Sequence, residues 1–168
     1  MYEVIFLIIA YAVPMYVANA TPILFHGKKP LDFGKKIKGK RIFGKGKSIL
    51  GTLNGILFGS LAGLLFAFLF PQIFYLIPNY LLLVVLLAIG AMLGDIIESF
   101  LKRRAGFESG ERCFLFDQID FILGGFFLSL LIRIPEFEVV IVLLFVTIFM
   151  HIITNFCAFK LKLKKVPW

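Results

Sequence analysis

Polar surface is what this 168-residue sequence lacks most. Charged residues make up 17% and hydrophobic residues 60%, with a mean hydropathy of +0.96, far from the mixture of a soluble domain. The 21 Phe would leave apolar patches too large for a monomer in water. A soluble fold is excluded, and lipid is the solvent the chain requires. Cysteine is nearly absent. Cys113 and Cys157 cannot build a disulfide framework and lack metal-ligand spacing, so both read as small hydrophobes. Acidic residues are scarce, 10 against 18 Lys and Arg, for a net charge of +8. That balance suits nucleic acid, anionic lipid or phosphorylated substrates. Nucleic acid is disfavoured, because the basic residues lack interleaved aromatics beyond Phe33 and Phe43. No repeat, linker or low-complexity run divides the chain, which reads as one domain over residues 1–168.

What is present is long apolar runs. A spanning helix needs about 20 mainly apolar residues, and five segments approach that: 2–25, 49–70, 80–100, 119–134 and 137–159. The fourth is short and starts beside charges. The first carries Glu3 instead of a basic leader and runs too long for a signal peptide. Basic residues then set the orientation. Nine lie between the first two segments: Lys28, Lys29, Lys35, Lys36, Lys38, Lys40, Arg41, Lys45 and Lys47. Lys102, Arg103, Arg104 and Arg112 follow the third, and Lys160, Lys162, Lys164 and Lys165 the fifth, leaving only Arg133 opposite. The expected fold is therefore an all-α integral membrane protein of five transmembrane helices. Its N-terminus is outside, and its C-terminus and the long, mobile basic loop between helices 1 and 2 are cytoplasmic. Gly51, Gly55, Gly59 and Gly63, then Gly90 and Gly94, recur every four residues and predict close helix packing.

Carboxylates at membrane depth are costly and mark function. Asp95, Glu98 and Ser99 share one helix face, and Lys102 and Arg103 continue down the same side. Asp117 and Asp120, three apart, open the fourth segment. Asp95, Asp117 and Asp120 can converge at one level, and repelling carboxylates need something positive between them. Mg²⁺ in phosphoryl- and nucleotidyl-transfer sites is held by such groups. The alternative is that Asp95 pairs with Lys102 or Arg103 while Asp117 caps a helix. Gly44-Lys45-Gly46-Lys47-Ser48 leads into the glycine-striped helix, a natural phosphate contact that lacks the first glycine of a Walker A loop. Tyr16, Asn19 and Thr21 form a further polar set near Pro14 and Pro22, and Thr147, His151 and Asn155 another. Neither His26 nor His151 reads as a catalyst.

Gly94-Asp95 with Ser99, Lys102-Arg103 and then Phe116-Asp117-Gln118-Ile119-Asp120-Phe121 resembles the signature of the CDP-archaeol synthases, which are similar in their C-terminal half to CDP-diacylglycerol synthases. Pro14 to Asn19 with Pro22, and Gly44-x-Gly-Lys47-Ser48 with Gly51, resemble that family's N-terminal motifs. Lys45 and Leu50 stand where the family often has an acidic residue and Arg. The resemblance implies Mg²⁺-dependent transfer of CMP from CTP to 2,3-di-O-geranylgeranylglyceryl phosphate, an isoprenoid ether lipid phosphate, giving CDP-archaeol and pyrophosphate. It implies Asp95, Asp117, Asp120 and, less centrally, Glu98 as metal ligands. Lys102, Arg103, Lys47, Ser48 and Ser99 would meet phosphates, and Asn19 cytosine or ribose. The alternatives are a diacyl substrate, phosphatidic acid, or a small membrane transporter. Against a transporter, the acids cluster at one side rather than the midplane, and no inverted repeat is visible.

Overall fold

The computed structural model describes residues 2–25, 27–109, 111, 113 and 116–160. His26, Arg112, Lys162, Lys164 and Lys165, and the side chains of His151, Asn155 and Cys157, lie outside the described residues. Among the described residues, six helices and a two-stranded hairpin follow in order: α1 (Tyr2–Leu24), β1 (Lys36–Ile37), β2 (Lys40–Arg41), α2 (Ile49–Leu69), α3 (Ile73–Leu76), α4 (Tyr80–Arg104), α5 (Phe116–Ser129) and α6 (Phe137–Lys160). Of these, α1, α2 and α4 are long and apolar enough to cross a membrane.

Two boundaries differ from expectation. The third predicted segment, 80–100, runs on to Arg104, so Lys102 and Arg103 are helical and keep the register of Asp95. The fourth, predicted at 119–134, begins at Phe116 and stops at Ser129. Its 14 residues span about 21 Å, short of the ~30 Å hydrocarbon core.

The helices pack through their smallest residues. Gly51, Gly55, Gly59 and Gly63 of α2 are buried, while Leu53, Leu57, Leu61 and Leu65 face outward, the reverse of a water-soluble helix. A Cβ at Gly59 would lie 2.7 Å from both the Ala18 Cβ and the Pro14 carbonyl of α1. Gly90 and Gly94 of α4 meet Gly124 and Gly125 of α5, where a Cβ on Gly124 would stand 2.8 Å from the Gly94 Cα. Lipid gives helices no hydrophobic reason to associate, so close packing of this kind must hold them. Pro14, inside α1, has no N–H to give the Ala10 carbonyl one turn back. The buried Tyr80 hydroxyl of α4 donates to that oxygen at 2.7 Å, which is how a membrane helix tolerates proline.

The fold is helical as expected, and the connection between α1 and α2 adds one small hairpin to it. Strands β1 and β2 pair antiparallel around Lys38 and Gly39, whose φ values are 51° and 80°, the left-handed pair a two-residue hairpin turn requires. Its base is closed by the Leu31 N–H to the Lys47 carbonyl at 2.9 Å and the Ile49 N–H to the Lys29 carbonyl at 3.1 Å. Arg104 docks the hairpin on the end of α4, donating to the Ile37 and Arg41 carbonyls at 3.0 Å each.

Candidate active site

The last three turns of α4, the first two turns of α5 and the arc Phe43–Lys47 surround one polar cavity of about 320 Å³. Helical spacing places Asp95, Glu98, Ser99, Lys102 and Arg103 on its wall; Asp117 and Asp120 come from α5 and Lys47 from the arc. Lys102 is the hub. Its ammonium donates to both Asp117 oxygens at 2.9 Å and lies 3.3 Å from Glu98 Oε1. Lys47 pairs with Asp95. Arg103 is buried; it donates to the Phe107 carbonyl at 2.9 Å, while its Nε is buried without a hydrogen-bond partner among the described residues. Asp117 also accepts from the Cys113 N–H at 3.2 Å, which fixes the start of α5.

Eight of the ten expected site residues therefore line one space, and two do not. Ser48 is buried and caps α2, its oxygen accepting from the Gly27 and Gly51 N–H groups at 3.1 Å each. Its side-chain oxygen is thus engaged in the helix cap, away from the cavity wall. Asn19, half-buried on α1, is not on the cavity wall. Ser109 and Glu111, from the connection between α4 and α5, complete the wall with Phe43 and Gly46. The polar run Glu108-Ser109-Gly110-Glu111, on the same side as the basic loop, was the available signal. The partners proposed for Asp95 also change: it meets Lys47, not Lys102 or Arg103.

Asp95, Asp117 and Asp120 do share one cavity wall. Among the described residues no three of His, Cys, Asp and Glu are grouped to hold a metal; Lys47 pairs with Asp95 and Lys102 with Asp117. The donor chemistry nevertheless suits a hard cation. Five carboxylates line the cavity, Asp95, Glu98, Glu111, Asp117 and Asp120, against three cations, Lys47, Lys102 and Arg103. The carboxylates outnumber the cations, which is the donor set a divalent ion takes. Glu98 Oε1 is buried and meets the Lys102 ammonium as an ion pair at 3.3 Å.

A second, apolar cavity of about 800 Å³ opens beside the first, walled by Leu93, Ile97 and Leu101 of α4 and Leu123, Phe127 and Leu128 of α5. Glu98, Lys102 and Asp120 belong to both walls. A charged head placed at those three residues would have polar space on one side and an apolar groove on the other.

Comparison with known proteins gives one consistent match. The model of the CarS-like family, described as CDP-archaeol synthase, matches residues 1–168. The CDP-archaeol synthase of Methanocaldococcus jannaschii is 34% identical over 175 residues, covering 99% of each chain. That of Methanospirillum hungatei is 38% identical over 166 residues, covering 92% of this chain and 99% of its own. A solved structure of an intramembrane enzyme for archaeal membrane lipid biosynthesis superposes with a TM-score of 0.79 at 34% identity, covering 88% of this chain and 91% of that one.

Proposed function

Because the chain belongs to the CDP-archaeol synthase family and is thereby a membrane cytidylyltransferase of lipid biosynthesis, we propose that it transfers CMP from CTP to 2,3-di-O-geranylgeranylglyceryl phosphate where its two cavities meet. The observation that carries this reading is the shared wall of Glu98, Lys102 and Asp120. The isoprenoid tails lie in the apolar groove and leave sideways into lipid. The nucleotide fills the polar cavity, and the lipid phosphate reaches its α-phosphorus at Lys102.

An oxygen of the lipid phosphate forms the new bond to the α-phosphorus as the bond to the β-phosphate bridging oxygen breaks, releasing pyrophosphate. The lipid phosphate has a second pKa near 6, so its attacking oxygen is already deprotonated at neutral pH and needs no strong base. Catalysis is then positioning and charge neutralisation. Lys102 holds the lipid phosphate; Lys47, Arg103 and Ser99 meet the triphosphate, Lys47 leaving Asp95 as it does so. Asp95, Asp117, Asp120 and Glu98 are the residues that would hold Mg²⁺. When bound, the ion supplies charge neutralisation at the α-phosphorus and the leaving pyrophosphate. With this reading goes a five-span topology with the site at the cytoplasmic face, supported by the placement of 17 of the 18 basic residues.

The test is pyrophosphate release by detergent-purified protein given Mg²⁺, each of the four nucleoside triphosphates, and either the isoprenoid ether phosphate or phosphatidic acid. Release with CTP that requires the ether lipid and stops with EDTA is expected. Equal release with phosphatidic acid would replace the lipid assignment, and release with no nucleotide would overturn the reaction.

A further inference from the structure

Asp32 is the one acidic residue between α1 and α2, and its side chain is 1% exposed. A buried carboxylate is costly unless every oxygen is satisfied, and this one is. It accepts from the Gly34 N–H at 2.9 Å, the Phe43 N–H at 3.2 Å, and Arg41, whose Nε lies at 3.2 Å and whose terminal nitrogen completes a two-pronged contact. The knot it ties lies outside the polar cavity but controls the chain that lines it. From its side chain, Asp32 fixes Phe43. Through its neighbour Leu31, whose N–H meets the Lys47 carbonyl, the same segment fixes Lys47. The arc Phe43–Lys47 is therefore clamped at both ends by one short stretch of chain.

Between the clamps the arc is seated on the site. Gly44, with a φ of 84°, passes so close that a Cβ there would meet Ser109 Oγ at 3.1 Å and Arg103 Cδ at 3.7 Å. The Lys45 N–H donates to Ser109 Oγ at 3.0 Å. Phe43, Gly46 and Lys47 then face the cavity. A four-carbon ammonium side chain loses much of its binding energy if its own backbone must first be ordered.

We propose that Asp32 is a positioning residue for the nucleotide: it holds the arc Phe43–Lys47 in place so that Lys47 reaches the triphosphate without a cost in ordering. This rests on the assignment of Lys47 to the triphosphate. Asp32 itself touches neither substrate.

The test is a double-mutant cycle read in the KM for CTP, with Asp32→Asn, Lys47→Met and both together in the full-length protein in detergent. Lys47→Met should raise that KM about tenfold, the cost of one charged hydrogen bond. Asp32→Asn should raise it several-fold, and the double variant should be no worse than Lys47→Met alone. The KM for the lipid phosphate should not move in any variant, which a general loosening of the fold would not spare. Multiplying effects, or an unchanged KM in Asp32→Asn beside a raised one in Lys47→Met, would overturn the positioning role. An unchanged KM in Lys47→Met would instead remove the triphosphate assignment beneath it. Should Asp32→Asn fail to accumulate folded, Arg41→Lys carries the same cycle, because lysine cannot span both carboxylate oxygens.

Discussion

Asp117 makes two contacts that a substitution can separate. Its oxygens take the Cys113 N–H at 3.2 Å, a contact that shapes the start of α5, and the Lys102 ammonium at 2.9 Å, a contact that needs charge. Asparagine can keep the first and must weaken the second. Asp117→Asn should therefore stay folded, by an unchanged thermal midpoint, while turnover falls at least about 100-fold. Asp32 invites a pH measurement instead. Burial alone would raise its carboxyl, but the bonds from Arg41, Gly34 and Phe43 and the guanidinium charge outweigh it and hold the group below the usual carboxylate range. A folded-state pKa lowered in this way contributes stability that is complete above the unfolded value, about 3.9, and is lost as pH falls through the folded one. The difference in thermal midpoint between wild type and Asp32→Asn should stay constant from about pH 7 to about pH 5 and shrink below about pH 4. Ser48 marks the limit of reading residues from sequence. Its place after Gly46-Lys47 looked like a phosphate contact, but a serine before a helix also caps it, and only the fold decides which hydrogen bonds its one oxygen makes.

Among the elements, the glycine stripe of α2 was legible because four-residue spacing survives without any knowledge of the partner helix. The Gly124-Gly125 pair of α5 has no such period, and its fit against Gly90 and Gly94 emerges only when two helices meet. The same divide separates α4 from α5: the former is written in hydropathy, whereas the end of the latter at Ser129 comes from a turn in which the Ile132 and Arg133 N–H groups both close on the Ser129 carbonyl. The hairpin was hidden by its composition, because strands of two residues carry no periodicity. Packing by glycine makes a sharp prediction. Gly59→Val has no room between Pro14 and Ala18 and should cost about 1–3 kcal/mol, seen as a lower thermal midpoint in detergent. Gly46→Ala, where nothing lies within 4 Å of the added carbon, should leave the midpoint unchanged.

Among the described residues the molecule is a helix bundle in which a polar and an apolar cavity share three charged residues. The polar half was legible in sequence, since carboxylates and lysines at helical spacing cannot sit in lipid without purpose. The apolar half was not, because a groove lined by Leu, Ile and Phe reads the same as a face that touches lipid. A transporter is no longer a reading of the chain, given the family to which it belongs. The two halves can be separated by mutation. Ile97, on the groove wall and 55% exposed, replaced by Trp should raise the KM for the lipid several-fold and leave that for CTP unchanged. An equal rise in both would mean that the groove and the polar cavity are one binding site. The central claim is that the lipid phosphate attacks the α-phosphorus at the junction of the two cavities. Its most direct measurement follows label from CTP, marked at either the α- or the γ-phosphate, into the organic phase of the reaction. α-Label should enter the lipid and γ-label stay in water as pyrophosphate; γ-label in the lipid, or α-label that never leaves the aqueous phase, would contradict this attack.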